Sequence, residues 1–174
     1  MRSIRRFLSL VLCCPLLAQE AGNLLSRADF VENWKTSKEF TLAVAGDMPE
    51  KFYRFKPNPA EMNFVSLMVH IADSNRFRFA QVSEDKAPAP AMPKEVNKAV
   101  IIERLRDSFD YCIGKLEIIT DDQVKRQYPV DWFERPEASG SQILLGMYVH
   151  TAHHRAQAEV YMRANDVKPP AYRP

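Results

Sequence analysis

Apolar residues recur every three or four positions along most of the chain, which is the period of an amphipathic helix and not the alternation of a strand. Four such stretches stand out, separated by proline-marked loops. The first spans about residues 24–44, with Phe30, Trp34, Phe40 and Leu42 as anchors, and Gly46-Asp47 ends it. The second is predicted to open at Asn58-Pro59-Ala60-Glu61. Asn is a good N-cap, Pro suits the first helical position, and a Glu three residues after the cap can reach back to it. Phe64, Leu67, Met68, Ile71, Phe77 and Phe79 then continue at helical spacing to about Val82.

The segment SEDKAPAPAMP (residues 83–93) cannot extend a helix through its three prolines and reads as a stiff loop. The third helix is expected over about residues 94–119, with Val96, Val100, Ile101, Leu105, Phe109, Cys112 and Leu116 spaced by three and four. Thr120-Asp121-Asp122-Gln123 has the pattern of a capping box that opens one short turn. A loop through Tyr128-Pro129-Val130-Asp131-Trp132-Phe133 follows, and a short hairpin fits it as well. Ser139-Gly140-Ser141-Gln142 is a further capping box and starts the last helix, which runs to about Asn165, where Lys168-Pro169-Pro170 stops it. Four helices joined by moderate loops predict an all-α, four-helix bundle.

The first 18 residues depart from this pattern. Arg2, Arg5 and Arg6 precede an apolar run from Phe7 to Ala18. Twelve residues are too few for a membrane span, which needs about 20, so residues 1–18 read as a secretory signal and residues 19–174 as one domain. A lipid anchor on Cys13 or Cys14 is the rival reading, but it wants a small residue before the cysteine, where Leu12 or Cys13 stands. The expected location is therefore periplasmic or secreted, with no membrane attachment after cleavage. Cleavage removes three arginines and no acid, so the formal charge of +2 becomes −1. Neither value offers the clustered basic face that nucleic acid needs. Cleavage also takes two of the three cysteines and leaves Cys112, which excludes an intrachain disulfide and reads as a small buried hydrophobe before it reads as a reactive thiol.

The four histidines fall in two helices: His70 in the second, and His150, His153 and His154 in the last. His150 and His154 lie about 40° apart on one helical face, one turn from each other. That spacing lets two imidazoles grip one metal ion. Ile143, Met147, Gln157 and Tyr161 share their face, and Asn63, Leu67, Ser74 and Phe77 share that of His70, so both sets are expected to point inward. His153 points to one side. The alternative is a set of core histidines satisfied by hydrogen bonds alone.

The stretch His150-Thr151-Ala152-His153-His154-Arg155-Ala156-Gln157 resembles the H-x-x-H-H-R-G-Q signature of the DinB-like (DinB/YfiT) superfamily. Leu67-Met68-Val69-His70-Ile71-Ala72-Asp73 is similar to the second-helix motif of that family, and residues 161–170 are similar to its usual ending. The resemblance covers roughly residues 24–172, with Ala156 in place of Gly as the departure. It implies a four-helix bundle, often dimeric, that holds one divalent metal ion through His70, His150 and His154. His153 and Arg155 would then pack or hydrogen-bond near the helix surface. Gln157, Tyr161 and Asn63 would stand beside the ligands or on the substrate side.

Three neutral imidazoles suit Zn or Ni, with Fe as a third choice, and binding is expected to weaken below about pH 6 as the rings protonate. The implied activity on a small-molecule substrate is metal-dependent thiol transfer or hydrolysis. The alternative is a non-catalytic exported metal-binding or stress-associated protein. No catalytic residue is identified: Glu61, Asp73 and Tyr161 are candidate bases only by their place on or near the inner helices.

Overall fold

Each long helix starts at a residue whose side chain accepts a hydrogen bond from the first turn. In the computed structural model, which describes residues 26–86, 92–131 and 136–173, Ser26 caps α1 (Arg27–Asp47) and forms a reciprocal capping box with Asp29. Asn63 caps α2 (Phe64–Ser83) by accepting from the Ser66 N–H. Asn97 caps α3 (Lys98–Ile118), Thr120 boxes with Gln123 to open α4 (Asp121–Lys125), and Ser139 boxes with Gln142 to open α5 (Gly140–Arg163). The signal sequence expected over residues 1–18, together with Trp132 and Phe133, lies outside the described residues. Among the described residues, no helix is long and apolar enough to cross a membrane.

The predicted start of the second helix is corrected from Asn58 to Asn63. The Asn58 side chain accepts from the Ala60 N–H, and the Glu61 N–H donates to the Asn58 carbonyl, which closes a turn there. The free N–H groups of Phe64 and Val65 donate to the carbonyls of Phe55 and Tyr53, each at 2.9 Å. That loop therefore satisfies the open donors of the first turn and fixes where α2 begins. The third helix also starts later than expected. The Lys98 amine binds the carbonyls of Gly46 and Met48, so the first residue of α3 is tied to the end of α1.

α1 and α2 each pack against both α3 and α5, so they face each other across a diagonal of the bundle. Trp34 is fully buried at the centre. Its ring meets Phe79 edge-on at 5.0 Å, Phe109 at 5.7 Å and Tyr148 at 5.9 Å. One aromatic cluster thus joins all four long helices, and such pairs add to the area they bury. Cys112 is buried and unpaired, and burial pushes its thiol well above the usual range, as expected of a packing residue.

Between α4 and α5 lies the hairpin, with β1 (Gln127–Pro129) antiparallel to β2 (Glu137–Ser139) and Tyr128 opposite Ala138. The Tyr128 hydroxyl reaches the carbonyls of Val82 and Gln123, which presses the hairpin onto the end of α2. Gly140 sits where this hairpin turns into α5. A Cβ there would lie 2.3 Å from the Gln123 carbonyl oxygen, so only glycine fits that approach.

Candidate metal centre

α2 and α5 are neighbours in the bundle, and His70, His150 and His154 meet between them. Asn75 and Thr151 set the alignment of the two helices. The Thr151 hydroxyl donates to the Asn75 Oδ1 at 2.9 Å, with both residues buried. A buried polar pair is satisfied in one alignment only, because a slip along the helix would orphan both groups. Thr151 directly follows His150, so the same bond holds the histidines of α5 against the helix that carries His70. Sequence reasoning missed this pair. The signal was available in Asn75, a polar residue within an apolar helical stripe.

The ring centroids of His70 and His150 are 5.0 Å apart, those of His70 and His154 4.7 Å, and those of His150 and His154 4.4 Å. One ligating nitrogen from each ring lies within 4.8 Å of the others. The Nε2 atoms of His70 and His150 are 3.1 Å apart. Two nitrogens on one tetrahedral zinc, each bonded at about 2.0–2.1 Å, stand roughly 3.3 Å apart, so the pair already has nearly the separation a shared ion requires. The third ring is oriented by Gln157. His154 Nδ1 lies 2.7 Å from Gln157 Oε1, which can only accept, so Nδ1 carries the proton and Nε2 keeps its lone pair for a ligand.

All three rings are pushed below the ordinary histidine range of about 6.5, chiefly by burial. His150 is pushed down to about 4, first by burial and then by the positive charge that His154, His70, His153 and Arg78 would place beside it. Beside His70, Asp73 works in the opposite direction, but burial outweighs it. Neutral imidazole is the form that ligates a metal, so the donor set fits one. His150 Nδ1 is buried without a hydrogen-bond partner, an arrangement that is costly in a site held together by hydrogen bonds alone.

The remaining sequence-derived residues fall in different places. His153 is exposed, with its ring against His154 at 4.9 Å. Asn63 is occupied as the cap of α2. Tyr161 is buried, and its hydroxyl donates to the Met62 carbonyl at 3.0 Å, tying α5 to the loop before α2. Asp73 is held by Arg104 and Glu61 is exposed, so neither stands out as a base. Phe77, expected to face inward, is 42% exposed.

Arg155 is a correction. It is only 7% exposed, and its guanidinium donates to Ser37 Oγ at 2.9 Å and Thr41 Oγ1 at 3.3 Å while lying 4.5 Å over the Phe40 ring. It is an internal strut between α5 and α1, where a surface position was expected.

The DinB superfamily sequence pattern matches residues 34–158, a span that includes all three ligand candidates. The chain belongs to the DinB superfamily. Solved DinB-like structures agree on the fold. A protein from Bacillus subtilis is 20% identical, with a TM-score of 0.67 over 83% of this chain and 97% of its own. Another from Bacillus cereus is 18% identical, with a TM-score of 0.72 over 84% and 97%. A conserved protein from Enterococcus faecalis is 13% identical, with a TM-score of 0.60 over 81% and 97%. No curated protein matches the chain. Within this DinB chain, the signature segment divides its labour between two faces of α5. His150, His154 and Gln157 face the histidine cluster, and Thr151 and Arg155 anchor the helix that carries them.

Lowered histidine basicity makes the metal-free fold sensitive to acid. Unfolded histidine takes up a proton near pH 6.5, whereas folded His150 resists until about pH 4. Between those values the unfolded state binds more protons, so the contribution of His150 is complete above pH 6.5 and is lost as pH falls toward 4. Urea unfolding of the metal-free protein should show it. Relative to His150→Ala, wild type should lose stability across that window, and a constant difference from pH 7 to 4 would contradict the shift. Metal uptake is likewise expected to persist to lower pH than the value near 6 inferred from unperturbed histidine.

Proposed function

We propose that this DinB-superfamily chain is an exported enzyme that holds one divalent metal ion through His70, His150 and His154 and uses it for hydrolysis or thiol transfer on a small-molecule substrate. The observation that carries this reading is the convergence of three neutral imidazoles from two neighbouring helices. Among the described residues, no carboxylate or thiolate joins them. Such a donor set leaves the charge of the ion intact and a coordination position open, the layout of catalytic and not structural zinc sites. Zn and Ni are the best-suited ions, with Fe next. When bound, an ion of this kind lowers the pKa of a bound water or thiol.

The residues around the ligands work on position and proton placement. Gln157 fixes the tautomer of His154, burial keeps the rings unprotonated, and Asn75 with Thr151 keeps the two helices aligned. The arginines and apolar run of residues 1–18 support export, and export favours hydrolysis over the use of a thiol abundant mainly in the cytosol. Elemental analysis after reconstitution with Zn, Ni and Fe tests the centre: one ion per chain is expected, and a protein that retains none would end the metal reading.

Gln157→Leu should keep the fold and weaken metal affinity about 10- to 100-fold, the usual effect of removing the partner that orients a histidine ligand. Competition with a chromogenic chelator reads it, and wild-type affinity would show that Gln157 does not orient the ligand. We also propose a homodimer formed through the outer face of α5, where Leu145, Val149 and Val160 are exposed along one helical stripe. Light scattering should give twice the chain mass, falling to one chain in Val149→Glu. A monomeric wild type would contradict the dimer.

A further inference from the structure

Past the histidine cluster, α2 runs on toward the hairpin, and a cavity of about 560 Å³ opens between them. Sites for small molecules commonly measure roughly 300–1,000 Å³. Its walls include Phe77, Ala80 and Gln81 from α2 and Pro129 and Val130 from the hairpin. The Gln81 amide donates to the Pro129 carbonyl and so ties the two walls together. On an α-helix, Phe77 and Gln81 lie within about 20° of the direction of His70, and Phe77 stands about 10 Å further along the axis. The cavity therefore follows the same strip of α2 that carries His70.

The charged side chains that line this cavity are spent on the protein itself. Arg78 is held by Asp131, has a further interaction besides, and lies 4.9 Å over the Phe77 ring. Asp85, at the far wall, is held by Lys115 and the Tyr111 hydroxyl. A charged ligand would have to break one of these pairs to form its own, so charge gives it little net gain. What the cavity offers instead is apolar surface. Phe77 is 42% exposed, whereas Phe64 and Phe79 of the same helix are 0% and 1% exposed. An aromatic ring left in water beside Pro129 and Val130 gains by being covered with an apolar group.

We propose that this cavity seats the uncharged aryl or alkyl body of a small molecule against Phe77, Pro129 and Val130, with the polar end of that molecule directed along α2 toward His70. The roughly 10 Å from Phe77 to His70 suits a ring joined to its polar end by a short chain. The description of this molecule as substrate rests on the metal reading above; the binding of its apolar body does not.

Calorimetric titration with 4-phenylbutanamide, butanamide and 4-phenylbutanoate tests the proposal, because these probes share one chain and differ in ring or charge. The phenyl amide should bind at least about tenfold more tightly than butanamide, the worth of covering most of one phenyl ring. The acid should bind no more tightly than its amide. Phe77→Ser alters an exposed ring, so it should leave the melting temperature unchanged while cutting the advantage of the phenyl amide to about twofold. Val130→Thr keeps the shape of the other wall, makes it polar, and should weaken the phenyl amide but not butanamide. Equal affinity for the two amides, an advantage unchanged in both variants, or an acid bound more tightly than its amide would overturn the proposal. The same titrations on metal-free protein separate the two readings. An advantage of the ring that persists without metal supports the cavity whatever the fate of the centre. One that vanishes shows that the amides sit on the metal, and the cavity proposal falls. If the protein takes up one metal ion yet the ring confers no advantage, the cavity proposal fails and the metal centre stands.

Discussion

His150→Ala is expected to abolish stoichiometric metal binding, while His153→Ala retains it. The two rings are three residues apart on α5, but their surroundings differ. His150 lies close to both other histidines of the cluster, with its Nε2 3.1 Å from that of His70 and its ring centroid 4.4 Å from that of His154. Removing it leaves two donors at a site that has no spare ligand among the described residues. The loss should exceed the roughly 100-fold that marks the upper end for partners that merely orient a ligand. His70→Ala and His154→Ala should behave the same way.

His153 is exposed, with its ring against that of His154 and outside the three-histidine group, so its removal leaves all three donors in place. Elemental analysis of reconstituted protein, followed by chelator competition, measures both effects. Equal loss in His150→Ala and His153→Ala would mean that the wrong ring has been assigned. Thermal melts of the metal-free proteins provide the control: His150→Ala removes a ring whose buried Nδ1 has no partner, so the metal-free fold should survive.

The parts of this site that the sequence discloses are those written locally. His150 and His154 are one turn apart on one helix, and their common direction follows from the helical period alone. The boxes at Thr120 and Ser139 are equally local, and α4 and α5 start where those residues predict. Asn58 had the same local credentials but does not cap α2. Carbonyls from Tyr53 and Phe55 take the first donors of that helix and so select Asn63.

Relations between helices are harder to read. Nothing along the chain places His70 opposite His150, and that pairing rested on the resemblance and on the small number of histidines. The groove beside Phe77 depends on a hairpin some fifty residues away, held by the Gln81 amide and the Tyr128 hydroxyl. Phe77 therefore looked like a core residue of its helix until its surroundings were known.

Arg155→Ala is expected to destabilise the fold by about 2–4 kcal/mol without removing any metal ligand. Sequence alone puts an arginine next to His154 on the surface, because arginine is seldom buried without partners. Here the partners come from α1. The guanidinium donates to Ser37 Oγ and Thr41 Oγ1, and the Phe40 ring lies beneath it. Truncation removes those bonds, removes the stem that packs between the helices, and opens a space that α1 can close only in part. Burial also lowers the basicity of the guanidinium, with Tyr148 the first of the opposing influences, so some of the gross interaction is already spent on desolvation. That offset keeps the expected loss to a few kcal/mol.

For a chain of this length, such a loss lowers the melting temperature by roughly 5–15 °C. Metal stoichiometry of the folded variant should stay at one ion, because Arg155 anchors the far side of α5 and not the ligand face. An unchanged melting temperature would remove Arg155 as the strut. A normal melt with metal lost would move it into the metal centre and reverse the division of labour assigned to the two faces of α5.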